Sequence, residues 1–194
     1  MKQIPNFHAF TIKHNGRADR IITQLHVTPA FDPAKPPSPH PEQHETTALW
    51  DTGATRSVVT KVTVDALGLV PVGNVMVNHA GGTSQANTYM VNFFLPNKVC
   101  IAGVLVSECP SIANNAGAII GMDIICQGDM SITNASGETW MTYRIPSIET
   151  IDYVNIATRM KFIGVGRNDP CPCGKTDSSG KRIKFKKCCG MISS

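Results

Sequence analysis

Short apolar segments separated by turn residues run along most of this chain, a pattern typical of β-strands. Glycine and small polar residues at 80–83 and 134–137 predict the turns of two hairpins. The pattern therefore predicts a mainly β fold. The segments that predict strands or hairpins are 21–27, 46–50, 75–95, 99–106 and 130–145.

Three segments depart from the strand pattern. Residues 32–45 contain five prolines within nine positions, so they predict a long exposed loop that cannot pair in a sheet. Residues 60–67 predict a short helix with Thr60 as its N-cap and Gly68 just past its end. Residues 153–162 are compatible with either a helix or a linker.

The charge is concentrated at one end of the chain. The chain has a formal net charge of +4, but residues 161–194 hold eight Lys/Arg and two Asp/Glu, a local balance of +6. The remaining residues hold ten Lys/Arg and twelve Asp/Glu, a balance of −2. The near-neutral main part argues against a nucleic-acid groove there.

Composition and cysteine placement bear on the cellular setting. With 42% hydrophobic and 16% charged residues, the chain can bury a packed core. No apolar run approaches the roughly 18–20 residues that cross a bilayer, so we expect no membrane partner. Residues 1–20 lack an apolar signal-peptide core. Four of the seven cysteines lie in the last 24 residues, which predicts a reducing, cytoplasmic setting and a terminal metal site.

Asp51 is the first candidate for chemistry. It follows an apolar strand that would hold the carboxylate rigidly, and Gly53 would let the backbone turn sharply beside it. The small Ala54 leaves space next to the carboxylate. The alternative is an Asp/Thr/Gly turn at a strand end without catalytic function.

Three segments in order resemble the retropepsin family of aspartic proteases and its bacterial members. They are LWDTGAT at 49–55, the hairpin around Gly81 and Gly82, and AIIGMD at 118–123. The resemblance covers about residues 20–147 and implies a closed β-barrel with a ψ-loop and a flap hairpin. It implies catalysis by Asp51, an active-site loop of Thr52, Gly53 and Ala54, a flap of His79, Ala80, Gly81, Gly82 and Thr83, and a ψ-loop strand of Ile119, Ile120 and Gly121.

The mechanism that this resemblance implies needs two carboxylates. Two carboxylates about 3 Å apart share one proton, so that one activates water and the other protonates the peptide carbonyl. The sequence has one Asp-Thr-Gly, so we expect a homodimer with Asp51 from each subunit. The expected activity is endopeptidase cleavage of polypeptides without a catalytic cofactor. The alternative is a non-catalytic module that keeps the fold and binds a protein or peptide.

The basic C-terminal segment contains two cysteine pairs, Cys171 with Cys173 and Cys188 with Cys189. Four thiolates in two close pairs suit a structural zinc ion at a tetrahedral site, with no open position for catalysis. The run RNDPCPCG at 167–174 resembles the bacterial SEC-C motif. That resemblance implies docking to a protein partner or the ribosome.

We therefore predict three parts. They are a protease domain at 1–147, a linker at 148–165, and a zinc-binding motif at 166–194.

Overall fold

The computed structural model describes residues 6–79, 82–160 and 162–192. The chain divides into two compact units, Met1–Glu149 and Thr150–Ser194. None of the helices in the described part of the chain combines the length and apolar composition that crossing a membrane requires.

The first unit is built mainly from strands, which confirms the predicted fold class at this level. Its two short helices are α1 (Lys61–Ala66) and α2 (Met122–Ile125). Its strands are β1 (His8–His14), β2 (Ile22–Pro29), β3 (His44–Trp50), β4 (Val58–Thr60), β5 (Gly73–His79), β6 (Gly82–Phe94), β7 (Cys100–Cys109), β8 (Ala118–Ile120), β9 (Asp129–Thr133) and β10 (Thr139–Ile145).

The strands form two sheets. One has the order β1-β10-β9, and the other has the order β2-β3-β8-β4-β7-β6-β5. A further pairing joins β2 to β6, so six strands of the larger sheet each have a hydrogen-bonded neighbour on both sides. Strand β8 runs parallel to β3 and antiparallel to β4. The pairing therefore places the Ile119 and Ile120 backbone between the strand before Asp51 and the strand after it.

Strand β1 was not predicted, and the predicted core of about 20–147 does not include it. Its residues are exposed or only partly buried, so its hydrophobic pattern is weak. It forms by antiparallel pairing with β10, more than 120 positions away in the chain. Phe10 of β1 lies 6.0 Å from both the Trp50 and the Tyr143 rings.

The short helix α1 begins and ends where its sequence predicts. The Thr60 side chain accepts a hydrogen bond from the Thr63 N–H at 3.4 Å, which caps the first turn. Gly68 follows the helix with φ +56°, a conformation that glycine adopts without steric cost.

The second unit combines one helix with an irregular, cross-bridged segment. Helix α3 (Tyr153–Met160) lies within the predicted linker. Isolated β-bridges join Pro170 to Lys184 and Thr176 to Arg182. Two single turns of 3₁₀ helix, Phe185–Lys187 and Cys189–Ile192, follow these bridges.

Candidate active site and candidate metal site

The backbone around Asp51 is tied to strands on both sides. Asp51 donates its N–H to the Ile120 carbonyl at 3.0 Å, and Trp50 donates its N–H to the Ile21 carbonyl at 2.9 Å. The chain then turns, with the Ala54 N–H donating to the Asp51 carbonyl at 3.2 Å. These bonds hold Asp51 at the end of β3 in a fixed orientation.

The Asp51 carboxylate is partly buried and accepts a hydrogen bond from within its own loop. The Gly53 N–H donates to Asp51 Oδ1 at 2.8 Å. A Cβ at position 53 would lie 3.2 Å from that oxygen, so glycine allows this close approach. Thr52 and Gly53 are exposed, whereas Ala54 is partly buried.

A second set of hydrogen bonds joins this loop to the segment after β8, and sequence reasoning did not find it. Ser57 is buried, and its hydroxyl donates to Asp123 Oδ1 at 2.8 Å while accepting from the Gly121 N–H at 3.1 Å. The Ser57 N–H donates to Asp123 Oδ2 at 2.9 Å. Asp123 therefore joins the two segments, beyond the helix-capping role suggested by its place at the start of α2. No sequence signal singled out Ser57.

Gly121 is at the closest approach between these segments. A Cβ there would lie 2.6 Å from the Arg56 carbonyl carbon and 2.9 Å from the Ala54 carbonyl oxygen. Both neighbours are backbone atoms that cannot rotate away. The Met122 N–H also donates to the Ala54 carbonyl at 2.8 Å. Position 121 therefore requires glycine for packing.

Trp50, the residue before the aspartate, belongs to the core despite its size. Its side chain is 7% exposed, and its Nε1–H donates to Thr23 Oγ1 at 2.9 Å. Its ring lies 5.0 Å from that of Tyr143. The indole thus anchors the end of β3 beside the candidate catalytic residue.

Two of the cavities beside the Asp51 loop bear on the candidate site. The first, of about 580 Å³, is lined by loop residues 53–56, by 74–77 of β5, by Thr88 and by 105–107 of β7. Val75, Met76 and Val77 line it, whereas Ile119 of the predicted ψ-loop strand does not. The second, of about 410 Å³, is lined by Asp51 itself and includes Arg20, Trp50 and Ile132.

The predicted flap residues lie at the turn of the β5–β6 hairpin. His79 pairs with Gly82 and Asn78 with Thr83, so two residues connect the strands. Of the predicted flap residues, Ala80 and Gly81 lie outside the described residues. Gly82 has φ +117°, and both Gly82 and Thr83 are exposed. Val75 and Met76, on strand β5 of the hairpin, are exposed and form an apolar wall of the first cavity.

Residues 42–124 match the family model of aspartyl proteases. We call this range the aspartyl-protease segment. It contains Asp51, the β5–β6 hairpin and β8. The match supports an aspartic-protease type of domain and of function for this part of the chain.

Two solved structures are also similar to the chain. One is a crystal structure of a retropepsin-like aspartic protease from Rickettsia conorii, with a TM-score of 0.44 and 11% identity, covering 72% of this chain and 96% of that chain. The other is the solution structure of the Simian Foamy Virus (mac) protease, with a TM-score of 0.34 and 14% identity, covering 53% of this chain and 89% of that chain.

Outside the aspartyl-protease segment, the four cysteines of the C-terminal unit lie together. The sulfurs of Cys171, Cys173, Cys188 and Cys189 are all within 4.8 Å of one another. Zinc bonded to four sulfurs at about 2.3 Å in a tetrahedron would place them about 3.8 Å apart. Cys173 Sγ lies 3.4 Å from Cys188 Sγ, and Cys188 Sγ lies 4.0 Å from Cys189 Sγ.

Backbone hydrogen bonds bring the two cysteine pairs together. The Cys171 N–H donates to the Ile183 carbonyl at 2.8 Å, and the Phe185 N–H donates to the Asp169 carbonyl at 2.8 Å. The Phe162 and Phe185 rings lie 5.2 Å apart and give this small unit an aromatic contact. The loop between the pairs closes on Asp177, whose Oδ1 accepts from the Ser179 and Lys181 N–H groups.

The electrostatics of the four thiols fit a cation. Burial raises the pKa of Cys171, but hydrogen bonds from the backbone of Cys173 and Cys189 outweigh it and bring the pKa to about 6. The hydrogen bond with Cys171 raises the pKa of Cys189 to about 12. Like charges so close cannot all form without a counter-ion, and a divalent cation would supply it. The residues therefore suit a metal ion that binds thiolates.

Proposed function

We propose that this protein is an aspartic endopeptidase that acts as a homodimer, with one Asp51 carboxylate from each subunit. The observation that carries the proposal is Asp51, a partly buried residue whose carboxylate accepts a hydrogen bond from the Gly53 N–H, in a loop whose residues 53–56 line the cavity beside the β5–β6 hairpin. The match to aspartyl proteases over residues 42–124 supports it. The ring of paired strands supports the closed barrel expected for such a domain.

In the proposed reaction the two carboxylates share one proton. The ionised one takes a proton from water, whose oxygen attacks the peptide carbonyl carbon, and the protonated one donates to the carbonyl oxygen. The C–N bond of the tetrahedral intermediate then breaks. The carboxyl that took the proton from water gives it to the leaving nitrogen, and one hydroxyl of the intermediate returns its proton to the other carboxylate, so the pair again holds one proton. Peptide and water are thus converted to a carboxylic acid and an amine without a covalent enzyme intermediate.

We assign the second carboxylate to a second subunit. Among the described residues, Asp19 also lines the cavity of Asp51, but it has no Thr-Gly after it, and its exposed side chain lies 3.6 Å from Arg20. The sequence has one Asp-Thr-Gly, and both oxygens of Asp123 accept hydrogen bonds from Ser57. We place the second copy against the cavity that Asp51 lines. Ile132 at its rim is 45% exposed, and exposed apolar surface beside a half-site favours association.

For the C-terminal unit we propose a structural zinc ion held by Cys171, Cys173, Cys188 and Cys189. We propose that the unit serves docking to a partner, as its resemblance to the SEC-C motif implies. The four cysteines fill a tetrahedral set, so the metal would supply folding energy and no open coordination position.

Asp51→Asn tests the enzyme directly. We expect cleavage of unfolded casein, followed by mass spectrometry from mildly acidic to neutral pH, to fall on the order of 10³-fold, since acid–base catalysis contributes about 10²–10⁴. The matched control is Asp65→Asn, which removes an exposed carboxylate on α1. For a weak dimer, the wild-type rate should rise more steeply than linearly with protein concentration.

A second outcome would favour the alternative. If a folded Asp51→Asn variant cleaves as fast as wild type, or if wild type cleaves nothing at any concentration, the endopeptidase proposal is wrong. The peptide-binding module that keeps the fold would then explain the cavity, and direct binding of unfolded polypeptide would be the next measurement.

A further inference from the structure

Among the described residues that line the cavity under the β5–β6 hairpin, Arg56 is the one that carries a charge. Its side chain is exposed, and within the described residues it makes no hydrogen bond or ion pair. The other described lining positions are apolar or uncharged, with Met76 and Leu105 the largest apolar ones. An unpaired guanidinium beside apolar side chains is a ready partner for a carboxylate on a bound molecule.

The backbone of Arg56 is fixed, so the charge is held at the cavity. Ser57 is buried and bonded to both Asp123 and Gly121. Gly121 packs so closely on the Arg56 carbonyl that even a Cβ would not fit. Anchoring of this kind lowers the ordering cost of a new ion pair, because only the Arg56 side chain remains to be immobilised.

Asp123, a carboxylate close to the Arg56 backbone segment, does not neutralise Arg56. Asp123 lines a neighbouring cavity together with Arg56. Its oxygens accept instead from the Ser57 N–H and hydroxyl and from the Ile124 N–H. Arg56 therefore keeps its full charge available to a ligand in the cavity.

We propose that Arg56 selects peptide substrates with a Glu or Asp side chain close to the scissile bond, flanked by apolar residues. This inference rests on the proposed endopeptidase function. Five residue steps separate Asp51 from Arg56, a span of at most about 18 Å. An extended substrate advances about 3.3 Å per residue. The acidic residue therefore lies within about five positions of the bond that is cleaved.

The proposed homodimer sharpens this expectation. A two-fold axis between the two Asp51 carboxylates places one Arg56 on each side of the bound peptide. The preference for acidic residues should consequently occur on both sides of the scissile bond, at equivalent distances. An enzyme with a single Arg56 at its site would show the preference on one side.

Charge reversal at position 56 tests the proposal. We would incubate wild type, Arg56→Gln, Arg56→Glu and Arg56→Lys with a peptide library made from a digested proteome and identify the cleavage sites by mass spectrometry. Wild type should cleave a Glu-containing peptide with a kcat/KM about tenfold above that of its Gln counterpart, as expected for a charge-assisted hydrogen bond. Arg56→Lys should keep part of the preference, Arg56→Gln should lose it, and Arg56→Glu should prefer Lys and Arg.

The matched control is Arg17→Gln, which removes an exposed arginine outside the cavity and should leave the preference unchanged. Circular dichroism and thermal unfolding would show that each variant is folded. Binding of the Glu and Gln peptides to the Asp51→Asn variant, with and without Arg56→Gln, measures the same preference without cleavage.

The two failures are distinguishable. Absence of cleavage by wild type overturns the proposed function. If wild type cleaves and the Arg56→Gln and Arg56→Glu variants keep its sequence preference, the enzyme proposal stands and the role of Arg56 is wrong.

Discussion

The two units of this protein hold their functional side chains by different means. In Met1–Glu149, Asp51 directly follows β3, next to a core that contains the buried side chains of Trp50, Ile120 and Tyr143. In Thr150–Ser194, Cys171 is the one described residue that is fully buried, and the four sulfurs meet through backbone turns. The first site depends on apolar packing over many residues, whereas the second depends on a few bonds to a metal. They should therefore respond to different perturbations.

Metal removal should give the largest difference in stability between the two units. Metal binding contributes on the order of 10 kcal/mol to the folding of small zinc-bound units. A strong chelator should therefore unfold residues 150–194 and leave residues 6–149 folded. Amide chemical shifts in a two-dimensional NMR spectrum report both units at once, and elemental analysis counts and identifies the metal.

Cys188→Ser should have the same effect as the chelator. Cys126→Ser, which removes an exposed cysteine outside the cluster, should have none. Purified protein that carries no thiolate-bound metal, with a C-terminal unit unaffected by chelator, would contradict the prediction.

Gly121→Ala should destabilise the first unit and leave the second unit folded. Its Cβ would meet the Arg56 and Ala54 backbone below 3 Å, so we expect the first unit to lose about 3 kcal/mol of unfolding free energy, at the upper end of ordinary overpacking. Urea unfolding followed by tryptophan fluorescence measures it, since Trp50 and Trp140 both lie in this unit.

The matched variant is Gly190→Ala, whose Cβ would lie 2.8 Å from the Phe185 carbonyl oxygen. It should weaken metal binding and leave the urea midpoint of the first unit unchanged. Equal urea midpoints for Gly121→Ala and wild type would show that the two backbone segments move apart easily.

Asp129→Asn should give the smallest effect, and one that depends on pH. Asp129 accepts hydrogen bonds from the Ser147 hydroxyl, from the Ile148 N–H and from the Arg144 guanidinium. These bonds, that from Ser147 most of all, hold the pKa of Asp129 well below its usual range. Its folded-state pKa is lowered, so its stabilisation is fully present above the unfolded pKa of about 3.9 and is lost as pH falls through the folded pKa.

The measurement is the melting temperature of wild type and Asp129→Asn from pH 7 to pH 2. A difference of a few degrees near neutral pH should shrink below about pH 4. Asp19→Asn, at an exposed aspartate with a long contact to Arg20, is the control and should shift the melting temperature less. A difference that stays constant down to pH 2 would show that the Asp129 charge is not what stabilises this end of the unit.

Local patterns in the sequence were sufficient for elements that short-range chemistry defines. The Thr60 cap, Gly68 past the helix end and the β9–β10 hairpin all follow from neighbouring residues and are confirmed. The cysteine pairs predicted a metal site, and the structure brings their sulfurs together. Strand β1 has a weak pattern because the pairing that forms it lies at the far end of the domain.

What the sequence determined by itself is therefore the residue chemistry: one Asp-Thr-Gly after an apolar strand, a glycine-containing hairpin, and two cysteine pairs in a basic segment. The tertiary structure alone decided that Ser57 and Asp123 lock the active-site loop and that Arg56 faces the cavity without a partner. The physical reason is distance along the chain. Ser57 and Asp123 are 66 positions apart, and strand pairing, which no local pattern encodes, brings them within hydrogen-bonding reach.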